Sequence, residues 1–172
     1  MIALVGGRFI GTNVMALSSS NNVYLYDNSN GNSIRTITIP GGNSGRQSVV
    51  LDVFDQLLLV GRTTRNTTGN SYLFNTSTGS LLRTYTNPSS SLSNMFSGSV
   101  AVSNQYIVIG APGEDNDRGS VHIYTDDSNS RLYEIQGPGA EGGYFGTSVA
   151  IDGSLLIVGA SGEGKSYVYQ LP

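Results

Sequence analysis

Phe96-Ser97-Gly98-Ser99-Val100-Ala101-Val102, followed by Ile107-Val108-Ile109-Gly110-Ala111-Pro112-Gly113, decides the fold because it returns almost unchanged. The second copy reads Phe145-Gly146-Thr147-Ser148-Val149-Ala150-Ile151, then Leu155-Leu156-Ile157-Val158-Gly159-Ala160-Ser161-Gly162. Gly110 and Gly159 are 49 residues apart, and Gly61, closing Leu57-Leu58-Leu59-Val60, lies 49 residues further upstream. A repeat of this length implies several copies of one supersecondary unit, each too small to bury its own apolar face.

Within the clearest copy, Ser99 to Val102 reads as a short strand, Ser103-Asn104-Gln105 as a turn and Tyr106 to Ile109 as a second strand. A loop from Ala111 to Gly119 leads to Val121-His122-Ile123-Tyr124, and a turn at Asp126-Asp127-Ser128-Asn129 leads to Leu132 to Ile135. Tight connections make these strands antiparallel neighbours. The second strand is continuously apolar in Leu57 to Val60, Ile107 to Ile109 and Leu155 to Val158, as expected of a strand covered on both faces. The third is aromatic and alternating, in Tyr24-Leu25-Tyr26, Tyr72-Leu73-Phe74, His122-Ile123-Tyr124 and Tyr167-Val168-Tyr169. The fourth is polar, as in Arg35-Thr36-Ile37-Thr38 and Arg83-Thr84-Tyr85-Thr86. Burial that falls from the second strand to the fourth, repeated along the chain, predicts propeller blades.

The expected fold is therefore all-β, a β-propeller of four blades built from four-stranded antiparallel sheets. The blade units run approximately over 1–40, 41–88, 89–138 and 139–172, in a single domain. The first copy is the most divergent, with Val14 to Ser20 fitting its second strand and following loop. Ile2 to Val5 has two possible homes, the inside of the first blade or the edge of the last. The last copy has only three strands, so it is completed either by that N-terminal strand or by a second chain. A monomeric ring is the preferred expectation, with a dimer sharing a larger ring as its alternative.

Composition agrees with this class and excludes several functions. Apolar residues make up 38% and charged residues 12%, with 23 Gly, 10 Tyr and no Trp. Such turn-rich, charge-poor composition suits an all-β chain. A net charge of −3 argues against a nucleic-acid partner, which calls for clustered Lys and Arg. With no Cys and one His, the parts for Cys-based metal sites and for Ser-His or Cys-His catalysis are missing, so no enzyme and no cofactor is expected. The N-terminus lacks a basic region and a signal-length apolar run, and nothing approaches the roughly 20 apolar residues of a membrane span. That pattern leaves localisation open and fits a component built into a virion or a surface assembly.

Phe145-Gly146-Thr147-Ser148-Val149-Ala150 and Gly110-Ala111-Pro112-Gly113-Glu114-Asp115 resemble the FG-GAP repeat family, the blades of integrin-α-like propellers. The resemblance covers about 41 to 170 well and 1 to 40 loosely. Calcium-binding relatives carry an Asp-x-Asp-x-Asp-Gly type loop between the first two strands. Here those connections read Asp52-Val53-Phe54-Asp55-Gln56, Ser103-Asn104-Gln105 and Asp152-Gly153-Ser154, so no metal site of that kind is expected.

The resemblance also implies a ligand-binding face, formed by the loops between second and third strands. These read Ser18 to Asn22, Arg62 to Thr68, Pro112 to Arg118 and Ser161 to Lys165, and are neutral, basic, acidic and mixed in turn. Divergent loops on a constant scaffold are where specificity resides. The candidate ligand-binding residues are accordingly Arg62, Arg65, Asp115, Asp117, Arg118, Glu163 and Lys165. His122, in the slot held by Tyr24, Tyr72 and Tyr167, reads as structural. The expected function is non-enzymatic recognition of a glycan or protein partner. The alternative is a structural or adhesive part of a viral or bacterial surface.

Overall fold

The computed structural model describes residues 7–10, 14–19, 21–41, 47–64, 67–89 and 93–172. They form four antiparallel sheets in chain order. The first contains β1 (Gly7–Ile10), β2 (Val14–Ser18), β3 (Asn22–Asp27) and β4 (Ser33–Thr38). The second contains β5 (Gln47–Phe54), β6 (Leu57–Thr64), β7 (Thr67–Asn75) and β8 (Leu81–Thr86). The third contains β9 (Ser99–Val102), β10 (Ile107–Ala111), β11 (Ser120–Tyr124) and β12 (Tyr133–Gln136). The fourth has three strands, β13 (Phe145–Asp152), β14 (Leu155–Ala160) and β15 (Lys165–Gln170). The four units are those read from the sequence, whereas β1 at Gly7–Ile10 falls where no strand is expected.

Three cores lie between successive sheets, and alternation along each strand assigns its residues to one side or the other. Val49, Leu58, Val60, Tyr72 and Phe74 of the second sheet face back to Ala16, Val23, Leu25 and Ile37 of the first. Leu59, Leu73 and Tyr85 face forward to Val100, Ile107, Ile109 and Tyr124 of the third. Ala101, Val108, Val121 and Ile123 of the third sheet then face forward to Phe145, Leu156, Val158 and Ala160 of the fourth. Each fully buried side chain of this kind contributes roughly 1.5–3 kcal/mol, which is what holds one sheet on the next.

The glycines of the repeat keep these junctions close. A Cβ on Gly61 would lie 2.8 Å from the carbonyl oxygen of Ser97, in the turn leading into the third sheet, and one on Gly110 would lie 2.2 Å from that of Gly146 in the fourth. Polar groups add cross-links: Asp52 Oδ2 accepts from the Val102 N–H at 3.0 Å, and Ser99 Oγ donates to the Gly146 carbonyl at 2.7 Å. At the outer edge Arg35 Nη2 donates to Ser77 O at 3.0 Å, and Arg83 Nη2 donates to Asp127 O at the same distance. The Arg-Thr-x-Thr strand of one sheet thus clasps the turn between the last two strands of the next.

The structure departs from expectation in three places. Arg62 to Thr68 was expected as a loop, yet β6 and β7 extend through most of it, with Arg62 paired to Val49 and Asn70. β14 is not covered on both faces, because Leu155 and Ile157 are exposed. Among the described residues the four sheets do not close into a ring, and β1 pairs with β2 in the first sheet. The expected strand at Ile2 to Val5 lies outside the described residues, as do parts of the connections at 42–46 and 90–92.

Candidate functional site

The acidic loop of the third sheet is wound against its chirality. After Gly113, the residues Asp115, Asn116 and Asp117 take φ of 48°, 56° and 64°, a left-handed turn across Glu114–Asp117. Asp and Asn adopt this conformation more cheaply than other chiral residues, which suits the composition here. Backbone bonds hold the turn on both sides. Gly113 N–H donates to Asn94 O at 3.0 Å, while Tyr144 N–H and Phe145 N–H donate to Asp117 O and Arg118 O at 2.7 and 2.9 Å. The loop is therefore pinned between the connections entering and leaving the third sheet.

This geometry turns Glu114 inward and leaves Asp115 and Asp117 at the rim. Glu114 is buried, with Oε1 accepting from Asn94 Nδ2 at 3.2 Å and Oε2 bonded to His122 Nε2 at 2.9 Å. His122 Nδ1 lies 3.0 Å from Arg131 Nη1. A guanidinium can only donate, so Nδ1 is the acceptor and Nε2 carries the proton given to Glu114. Both ring nitrogens are used within this chain of bonds, leaving neither for a substrate proton or a metal ion. Arg131 Nη1 also pairs with Glu134 Oε2 at 2.6 Å. Burial alone would raise the Glu114 carboxyl; the bonds from His122, Ser120 and Asn94 outweigh it and hold the group below its ordinary range.

Above this chain opens a recess of about 680 Å³, lined by residues including Ser93, Asn94, Asp115, Asp117, Arg131 and Gln136. Its lining carries four carboxylates, Glu114, Asp115, Asp117 and Glu134, against the single guanidinium of Arg131. Asp115 is paired with Arg118 at 3.1 Å, and Asp117 accepts a hydrogen bond from the exposed Tyr144 hydroxyl at 3.1 Å. That bond raises the Tyr144 phenol above its ordinary value.

The sequence-predicted residues divide. Asp115 and Asp117 come together at this recess, and Arg118 stands outside its lining, paired with Asp115. Glu163 and Lys165 sit on the fourth sheet, 3.4 Å apart, where Glu163 also accepts from Tyr167 at 2.6 Å. Lys165 borders a separate, smaller recess of about 260 Å³. Arg62 is buried in β6, donating to Pro40 O at 2.6 Å and Asn21 Oδ1 at 3.3 Å, so it ties the first sheet to the second. Arg65 lies outside the described residues.

Sequence reasoning missed Arg131, Glu134 and Asn94, and gave His122 no part in the lining. The signal was the joint departure of one copy from the others. By strand register, His122 replaces Tyr24 and Tyr72, and its partner Glu134 replaces Thr36 and Thr84.

Comparison with protein families matches residues 90–124, which span β9 to β11, and 137–169, which span most of the fourth sheet, to the FG-GAP repeat. These two stretches match the FG-GAP repeat. Comparison with curated proteins finds no match. In the first of the two matched FG-GAP repeats the recess is built on the Gly-Ala-Pro-Gly-Glu-Asp segment, Gly110 to Asp115, immediately after its second strand.

Proposed function

We propose that this FG-GAP repeat protein is a non-enzymatic, β-propeller-type recognition module that binds a glycan or protein partner through its loop face. The acid-lined recess of the third blade is its seat. The observation that carries this reading is the grouping of Asp115, Asp117 and Glu134 around an open recess whose floor is tied together by the hydrogen-bond chain Glu114-His122-Arg131. A rigid floor with carboxylates at the rim selects a partner that presents hydrogen-bond donors or positive charge, such as an amino sugar or a basic side chain. The occupied imidazole supports binding rather than catalysis, because a general base needs a free lone pair in reach of substrate.

A glycan-array screen and a panel of Lys- and Arg-containing peptides, each run with calcium and with a chelator, test the reading. Binding that survives the chelator and weakens at least about tenfold in Asp117→Asn supports it. Absence of binding to either panel would overturn it. A second reading, a structural component of a surface assembly, is favoured by the uncovered apolar face of the fourth sheet.

A further inference from the structure

We propose that the exposed apolar row Ala150–Ile157–Val168 of the fourth sheet is a head-to-tail docking surface for the first sheet of a second copy of this chain. The three residues are cross-strand partners in β13, β14 and β15 and point away from the third sheet. Their counterparts in the third sheet, Ala101–Val108–Ile123, form the same cross-strand row and are 1%, 0% and 0% exposed beneath the fourth sheet. In the second sheet Leu59 and Leu73 of the equivalent row are both 0% exposed beneath the third. Ile157 and Val168 are 43% and 63% exposed, with Leu155 beside them at 45%. The same chemistry in the same register is covered twice and bare once.

Two further details mark the bare face as a junction. Gly61 and Gly110 are glycines because the next sheet's backbone crowds them, whereas the nearest atoms to a Cβ on Gly159 would all belong to Ser148 of its own sheet. The close-approach residue is present where no other sheet of the described residues approaches. Asp152 stands at the position of Ser103, whose hydroxyl donates to the Gly153 carbonyl of the following sheet at 2.9 Å.

The internal junctions also specify the occupant. Each forward row is covered by the back of a following sheet, where an apolar residue of the second strand pairs with an aromatic or imidazole side chain of the third. Val60 pairs with Tyr72, Ile109 with His122 and Val158 with Tyr167 in this way. The back of the first sheet repeats the pattern with Leu17 paired to Tyr24, and no sheet precedes it in the described residues. Both side chains are partly exposed, and neither the row nor this pair carries charge. A contact of one end with the other is heterologous, so it propagates into a ring or a filament of copies.

The chain contains no Cys, which makes a directed cross-link clean. The double variant Val168→Cys, Tyr24→Cys of this 172-residue chain is treated with a short bismaleimide, and the wild type is followed by light scattering over a concentration series. Cross-linked dimers and longer species, with wild-type masses rising in multiples of 18.1 kDa, are expected. Val168→Lys should weaken association at least about tenfold, since the ammonium would be buried without a partner. Its circular dichroism should match the wild type because the residue is exposed in the monomer, and Tyr133→Lys, on another exposed strand, should associate normally. A mass of 18.1 kDa at every concentration overturns the proposal. So does a cross-link confined to single chains, which would mean that the first sheet of the same chain covers the face.

Discussion

His122 occupies a position held by tyrosine in the other copies, and restoring Tyr there is expected to destabilise the protein. Glu114 is buried and takes one of its hydrogen bonds from His122 Nε2, so His122→Tyr leaves a carboxylate oxygen without that donor. The expected loss is about 1–3 kcal/mol, read from urea unfolding. A gain in stability would show that the repeat residue fits and that the Glu114 bond contributes nothing. Glu114 also gives the fold an acid dependence. A carboxyl held below its unfolded value adds stability that is present above that value and lost as pH falls through the folded one. The melting temperature should therefore fall more steeply below pH 4.5 in the wild type than in Glu114→Gln. Parallel curves would show that Glu114 titrates alike in both states.

Equivalent positions of the repeat carry different loads, depending on the sheet packed against them. Gly110→Ala drives a Cβ into the Gly146 backbone of the next sheet and is expected to cost about 1–3 kcal/mol. The one tight contact in Gly159→Ala is with the Ser148 hydroxyl, which can turn away, and the isolated chain should tolerate it. Equal losses in thermal melts would refute this account of the junctions. The outer strands show the same logic. Arg35 and Arg83 each clasp the turn of the following sheet. The third sheet has Tyr133 at that register position, and among the described residues no fourth-sheet turn stands ahead of it to be clasped. Arg83→Ala should lose about 0.5–1 kcal/mol and Tyr133→Ala less, compared in chemical unfolding.

At the scale of the molecule the sheets form a row in which the inner two have neighbours on both sides. Stability in such an array is a sum of units and nearest-neighbour junctions, so protection should follow position. Amide exchange is expected to be slowest at Val108 and Ile109, buried in the third sheet, and fastest among strands at Val168 in the edge strand β15. Uniform protection across the four sheets would mean that the molecule opens only as one unit. Association through the fourth sheet would slow exchange in β15 selectively.

The sequence by itself determined the units, their strand order and the ranking of burial within them. Those features rest on local periodicity, on turn chemistry and on a spacing of 49 residues between equivalent glycines. It also pointed to Asp115 and Asp117, because charge concentrated after Gly-Ala-Pro-Gly stands out in a charge-poor chain. Only the tertiary structure decided that Arg62 is an interior tie, that Arg131 and Glu134 complete the recess, and that Leu155 and Ile157 are bare. Each of these depends on which sheet lies against which. An apolar strand reads the same whether its second face is covered by a neighbour or left open.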